Sequence, residues 1–300
     1  MKKRTLAAAF VLAFLWVQGA FAAEGALCRV SNGKNELWLF GSIHIGSESM
    51  YPFSETVLSA AQHADTWVFE TDPEPAEQEL LSRMRYSDGR TLADDISAET
   101  LQLVEAAAQK CGYDAKQLMA IKPWALVTLF SAQNLAYSLG ISDAQTAAGL
   151  GVENQLKILA AEQRFDYLES SAEQFDMLNS FSAELQEMLL TDALHGILYE
   201  TGNERELNRW PEWWKQGNTA AFAEAFEKEM LQVSAPLAEE YLQKVLLHRN
   251  HNMADQLIDW LEQGSGRSIF VTVGILHLAV SEESLPKLME SAGYVVEWVQ

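Results

Sequence analysis

The chain has 300 residues, 48% hydrophobic and 21% charged, with a formal net charge of -21. That is enough length and apolar content for one large packed domain or two small ones, and it excludes a disordered chain. The acidity excludes nucleic acid and anionic membrane surfaces as natural partners.

The chain opens with "MKKR", then the apolar run "TLAAAFVLAFLWVQG", then "AFA" ending at Ala22. A positive start, a short apolar core and a small-x-small end predict a secretory signal peptide over 1–22, cleaved near Ala22. Its removal takes three cations and no acid, moving the formal charge from -21 to -24. Residues 23–300 are then expected to form a single domain, exported to the periplasm or beyond, with no membrane anchor after cleavage. No later stretch carries the ~18 uninterrupted apolar residues of a membrane helix. Cys28 and Cys111 are the only cysteines, and in an exported protein they are a possible disulfide.

"LCRV" and "ELWLFGSI" flank "SNGKN", which predicts a β-hairpin closed by an Asn-Gly turn. Ser54 is placed to cap a helix carrying Val57, Leu58 and Ala61, and "TWVFE" is a short strand ending in Glu70. From about 75 to 263 the apolar period is mostly 3.6 residues, with "FDYLES" as a short strand inside it. Pro123 opens one of these helices in the permitted first turn. "SIFVTVG" and "YVVEWV" return to strand, separated by the helix "EESLPKLMESAG". The expected fold is α/β (α+β): a small central sheet built from N- and C-terminal strands, with a large helical insertion.

"LWLFGSIHIG" and "IFVTVGILHLAV" each break at a glycine and reach a histidine three residues on, giving Gly41–His44 and Gly274–His277. With 17 glycines and 6 histidines, roughly 0.3 such pairs arise by chance, so two in matching contexts stand out. In an open α/β sheet, ligands sit at the carboxyl ends of the strands. If the two strands are neighbours and the Glu70 strand lies beside them, two imidazoles and a carboxylate meet at one edge. That donor set suits a divalent transition metal with positions open for water. Glu70 is either ligand or general base. His248 and His251 share a helix face, and Arg249 between them is a candidate for pairing with a site carboxylate or steadying a substrate oxyanion. Glu153 begins a helix, where the dipole favours an acid. The tryptophans of "RWPEWWKQG" read as packing rather than as a sugar platform.

These segments, with "ADTWVFETD", "KPWAL", "GVENQLKILAAEQRFDYLESSAEQ" and "HRNHNMADQLIDWL", resemble the TraB/GumN family, which includes the Tiki proteases of animals. The resemblance implies a metal-dependent protease using His44, His277 and Glu70. It matches the family's Arg-Asn pair to Arg249 and Asn250, and its middle acid to Glu153. It also implies a fold like erythromycin esterase and the ChaN haem-binding lipoprotein. Ser42 and Ala279 depart from the residues common at those positions. The expected function is an exported hydrolase acting on a peptide or small molecule through Mn, Co or Zn. The alternative is a non-catalytic protein that binds haem or metal.

Overall fold

The computed structural model describes residues 22–72, 77–160, 165–199 and 209–299; residues 1–21 of the expected signal peptide lie outside them. Six strands form one sheet: β1 (Ala26–Ser31), β2 (Glu36–Ser42), β3 (Thr66–Asp72), β4 (Phe165–Ser170), β5 (Ser268–Gly274) and β6 (Val295–Val299). Their order is β4-β3-β5-β2-β1-β6. β4, β3, β5 and β2 run parallel, and β1 and β6 complete the sheet antiparallel. The mixed sheet with surrounding helices is the α/β (α+β) fold expected from the sequence.

Local chemistry explains the elements. The β1–β2 hairpin turns where Gly33 takes φ +80, a conformation that glycine adopts at no steric cost. The Asn32 side chain accepts from the backbone N–H of Lys34 at 3.0 Å and Asn35 at 2.8 Å, an Asx-type closure. Ser54 accepts from Val57 N at 3.3 Å and caps the helix Glu55–Gln62 as expected. Pro123 opens the helix Pro123–Ser138. The tryptophans at 210, 213 and 214 are buried in the sheet's own core, confirming packing.

The insertion is more than a helical cover. It donates β4 to the edge of the sheet beside β3, so its strand-like "FDYLES" becomes part of the central layer. Its helices Ala98–Cys111, Pro123–Ser138 and Ala183–Tyr199 meet around a second apolar cluster centred on Val104, Leu126, Phe130 and Leu194. Cys28 is buried in the sheet core, whereas Cys111 packs against this second cluster. Both thiols are free, so the possible disulfide of Cys28 and Cys111 does not form: the two residues belong to different cores.

The long helical stretch before β5 is also not uniform. Residues Gln243–Leu247 form a π-turn between the helix Ala235–Leu242 and the helix His248–Glu262. A period-3.6 reading cannot register such an added residue, and π-turns of this kind concentrate at functional sites.

Candidate functional site

The repeated Gly-x-x-His segments leave two adjacent parallel strands. Ser42 of β2 lies directly across from Gly274 of β5. β5 then passes the direction on to β3, with Phe69 across from Thr272, and β3 to β4, with Thr71 across from Glu169. Four parallel strands therefore deliver His44, His277, Glu70 and Glu169 to the same carboxyl edge, the place where open parallel sheets keep their ligand sites.

Glu70 is at the centre and its side chain is 6% exposed. Oε1 accepts from Arg249 Nη2 at 2.6 Å and from Gln174 Nε2 at 3.1 Å. Oε2 accepts from the Gly274 backbone N–H at 2.6 Å. His277 Nε2 stands 3.8 Å from Oε1. Burial alone would raise the Glu70 carboxyl, but His277, Arg249 and His44 outweigh it and hold it well below the usual carboxylate range. A depressed folded-state value stabilises the fold above the ordinary pKa of ~4.3, and that stability is lost as pH falls below it toward the folded value. Urea midpoints measured from pH 7 to pH 3 should therefore fall more steeply for the natural chain than for Glu70→Gln. Superimposable profiles would show that Glu70 carries no such linkage.

Arg249 reaches this point from the first turn of the helix His248–Glu262. Its Nε donates to both oxygens of Glu169 (3.0 and 3.1 Å), Nη2 donates to Glu169 Oε2 (2.7 Å), and Nη1 donates to Val245 O in the π-turn (3.0 Å). A guanidinium has five N–H groups. With Nη2 shared between Glu70 and Glu169, only one Nη1–H is left for anything else. The oxyanion role suggested by the sequence is thus narrowed to one donor, and the main work of Arg249 is to pair two buried carboxylates.

The two imidazoles are held in the same way. Asn250 donates through Nδ2 to Glu283 O at 2.8 Å, which turns its Oδ1 to His277 Nδ1 at 2.6 Å. Because Asn250 Oδ1 can only accept, His277 donates from Nδ1 and points Nε2 at the Glu70 side. His44 Nδ1 meets Glu153 Oε1 at 2.7 Å, and Ser42 Oγ donates to the same oxygen at 2.5 Å. Glu153 raises the His44 pKa, opposed by desolvation. The His44 side chain is 69% exposed, so water screens the pair. Conversely, Glu153 is lowered: burial opposes, but the His44 charge and hydrogen bond and the Ser42 hydroxyl prevail. Among the described residues, no protein group hydrogen-bonds His44 Nε2.

The loop bearing His44 is set against the start of the helix Val152–Leu159 by close backbone contact. Val152 N donates to Ile43 O at 3.0 Å. A Cβ on Gly151 would lie 2.1 Å from His44 O, and one on Gly46 would lie 2.0 Å from Leu150 O. Gly151→Ala should therefore push the loop and helix apart and cost about 1–3 kcal/mol by overpacking. Gly149→Ala, where an added Cβ meets nothing within 4 Å, should stay within about 0.5 kcal/mol of the natural chain. Thermal unfolding of both variants checks this; equal melting temperatures would refute the contact.

Thus His44, His277, Glu70, Glu153, Arg249 and Asn250 all belong to this edge. His248 and His251 do not share their neighbour's role: both are exposed, and His251 pairs with Glu283 at 2.6 Å on the surface. Glu169 and Gln174 were missed. For Glu169 the available signal is its place at the end of "FDYLE", like that of Glu70 in "TWVFE", although nothing local pairs the two segments; Gln174 carries no such signal. Among the described residues, no group of three or more His, Cys, Asp or Glu side chains is poised as a metal-holding cluster, and no helix is long and apolar enough to cross a membrane.

Comparison with known proteins identifies the family. The model of the TraB/PrgY/gumN family matches residues 26–298, and the chain belongs to that family. It is 26% identical over 267 residues to the protein YbaP of Escherichia coli (strain K12), described as uncharacterized, covering 86% of this chain and 89% of that protein. YbaP of Shigella flexneri matches equally, at 26% over 267 residues. No solved structure matches.

Proposed function

We propose that this chain is an exported hydrolase, acting on peptides, that works with a divalent ion held by Nε2 of His44 and Nε2 of His277. The observation that carries this reading is the charge and donor balance at the strand ends. Three carboxylates, Glu70, Glu153 and Glu169, have side chains only 6%, 16% and 12% exposed. Arg249 pairs with Glu70 and Glu169, and the third carboxylate faces His44. Buried carboxylates are costly unless cations offset them, and a bound ion would supply that charge where neutral imidazoles cannot. Both imidazoles are anchored through Nδ1 to an acceptor, the arrangement that orients a metal-ligating histidine and raises its basicity.

The donor types therefore fit a divalent ion. When bound, such an ion would polarise a substrate carbonyl and acidify a water. The residues themselves divide the remaining work. Asn250 and Glu153 fix the two rings. Glu70 stays ionised, and a carboxylate held so low is a poor proton acceptor; its part is to balance the cation and orient His277 rather than to act as general base. The single free N–H of Arg249 is available to a developing oxyanion. The open face of His44 gives substrate a route to the edge.

The test is calorimetric titration of purified residues 23–300 with Mn²⁺, Co²⁺ and Zn²⁺, followed by incubation of the loaded protein with a peptide library. Saturable uptake of an ion and cleavage that depends on it are expected. Absence of uptake overturns the reading, and a haem Soret shift lost on His277→Ala would replace it with simple binding.

A further inference from the structure

We propose that Glu169 is a positioning residue of this site: it holds Arg249 so that the guanidinium grips Glu70 by a single prong. This rests on the hydrolase reading for its kinetic consequence but on geometry for its substance.

An unrestrained arginine prefers to fork onto a carboxylate with two parallel hydrogen bonds. Arg249 instead spends its fork on Glu169. Nε and Nη2 lie 3.0 and 2.7 Å from Glu169 Oε1 and Oε2, and only Nη2 extends to Glu70 Oε1, at 2.6 Å. Nη1 is tied back to Val245 O. Glu70 Oε2 is thereby left for the Gly274 N–H, which starts the turn carrying His277. Gln174 ties the same pair from the other side. Its Nε2 lies 3.0 Å from Glu169 Oε2 and 3.1 Å from Glu70 Oε1, and also donates to Thr71 Oγ1.

The local sequence enforces this. Thr71 and Glu169 are register partners in β3 and β4. Directly after Glu169, Ser170 and Glu173 form a capping box that fixes the first turn of the helix Ser171–Asn179, and with it Gln174. A strand end and a helix start five residues apart thus supply both partners. Removing the Glu169 charge frees Nε, leaves it without a charged acceptor, and lets Nη1 and Nη2 fork onto Glu70, drawing both Glu70 oxygens away from Gly274 and His277.

The experiment compares Glu169→Gln and Glu169→Asp with the natural chain, each labelled with ¹⁵N-arginine. Arg249→Lys assigns the Arg249 Nε–H resonance. In the natural chain this N–H, closed in by Glu169, should exchange slowly with water. It should be lost or exchange at least 10-fold faster in Glu169→Gln and be largely restored in Glu169→Asp. With Mn²⁺ and a cleaved peptide from the library, kcat should fall about 10-fold in Glu169→Gln with KM within 2-fold, as for other groups that orient a site from behind, and Asp should recover most of it. An unchanged Nε–H signal in Glu169→Gln overturns the proposal, and so does natural kcat with altered KM. If the natural chain binds no Mn²⁺ and cleaves nothing, the hydrolase reading fails, while the Nε–H exchange still decides the role of Glu169.

Discussion

Arg249→Met should cost about 3–5 kcal/mol of folding stability, the scale for removing one member of a buried ionic group and leaving its partners unpaired. Methionine fills much of the arginine stem but supplies no charge. Glu70 and Glu169 would then face each other across a nearly closed space, with Gln174 as their shared donor. The loss should depend on pH: acidification protonates one carboxylate and returns part of the stability. Urea unfolding at pH 7 and pH 4.5 measures both effects. A loss below 1 kcal/mol at pH 7 would mean that the carboxylates are not held together by the guanidinium. Combining Arg249→Met with Glu169→Gln should recover stability, because the two substitutions remove opposite charges from one contact and cannot be additive.

His44→Ala with His277→Ala should abolish saturable uptake of Mn²⁺, Co²⁺ or Zn²⁺ and any cleavage that depends on it. A milder companion is Asn250→Ala. Asn250 is fully buried and bonds the rear nitrogen of His277 and Glu283 O, so its loss should weaken ion affinity about 10–100-fold without removing a donor. The graded pair distinguishes donors from their supports. Uptake by the double variant equal to that of the natural chain would remove the two histidines from the site.

Much of this edge could be read from residues alone, for identifiable reasons. β2 alternates leucine with aromatic residues and β5 is dense in β-branched ones, and each runs into Gly-x-x-His, so their kinship is visible in one dimension. The position of Glu70 followed from its place at a strand end. Three things were not legible. The pairing of β5 with both β2 and β3 is a matter of register between segments some 200 residues apart, which no local pattern encodes. The π-turn at Gln243–Leu247 adds a residue to a helix without changing its composition. Glu169 stood in a strand already recognised, but nothing local said that "FDYLES" would lie beside "TWVFE". Conversely, His248 and His251, three apart on one helix face, were a clear local signal with a superficial outcome: the turn that buries Arg249 and Asn250 places the flanking histidines in water.

The strand order carries a consequence for how the molecule is made. β5 sits between β3 and β2, yet it begins at residue 268 of a 300-residue chain. Until that segment is available, β2 and β3 have no common neighbour, Glu70 lacks the Gly274 amide, and the second histidine is missing. Closure of long loops must precede the contacts that reward it. The sheet is therefore completed by its middle, late, and the proposed reactive edge comes into being in the same event. A chain emerging from the ribosome carries only disconnected halves of this apparatus until β5 has appeared.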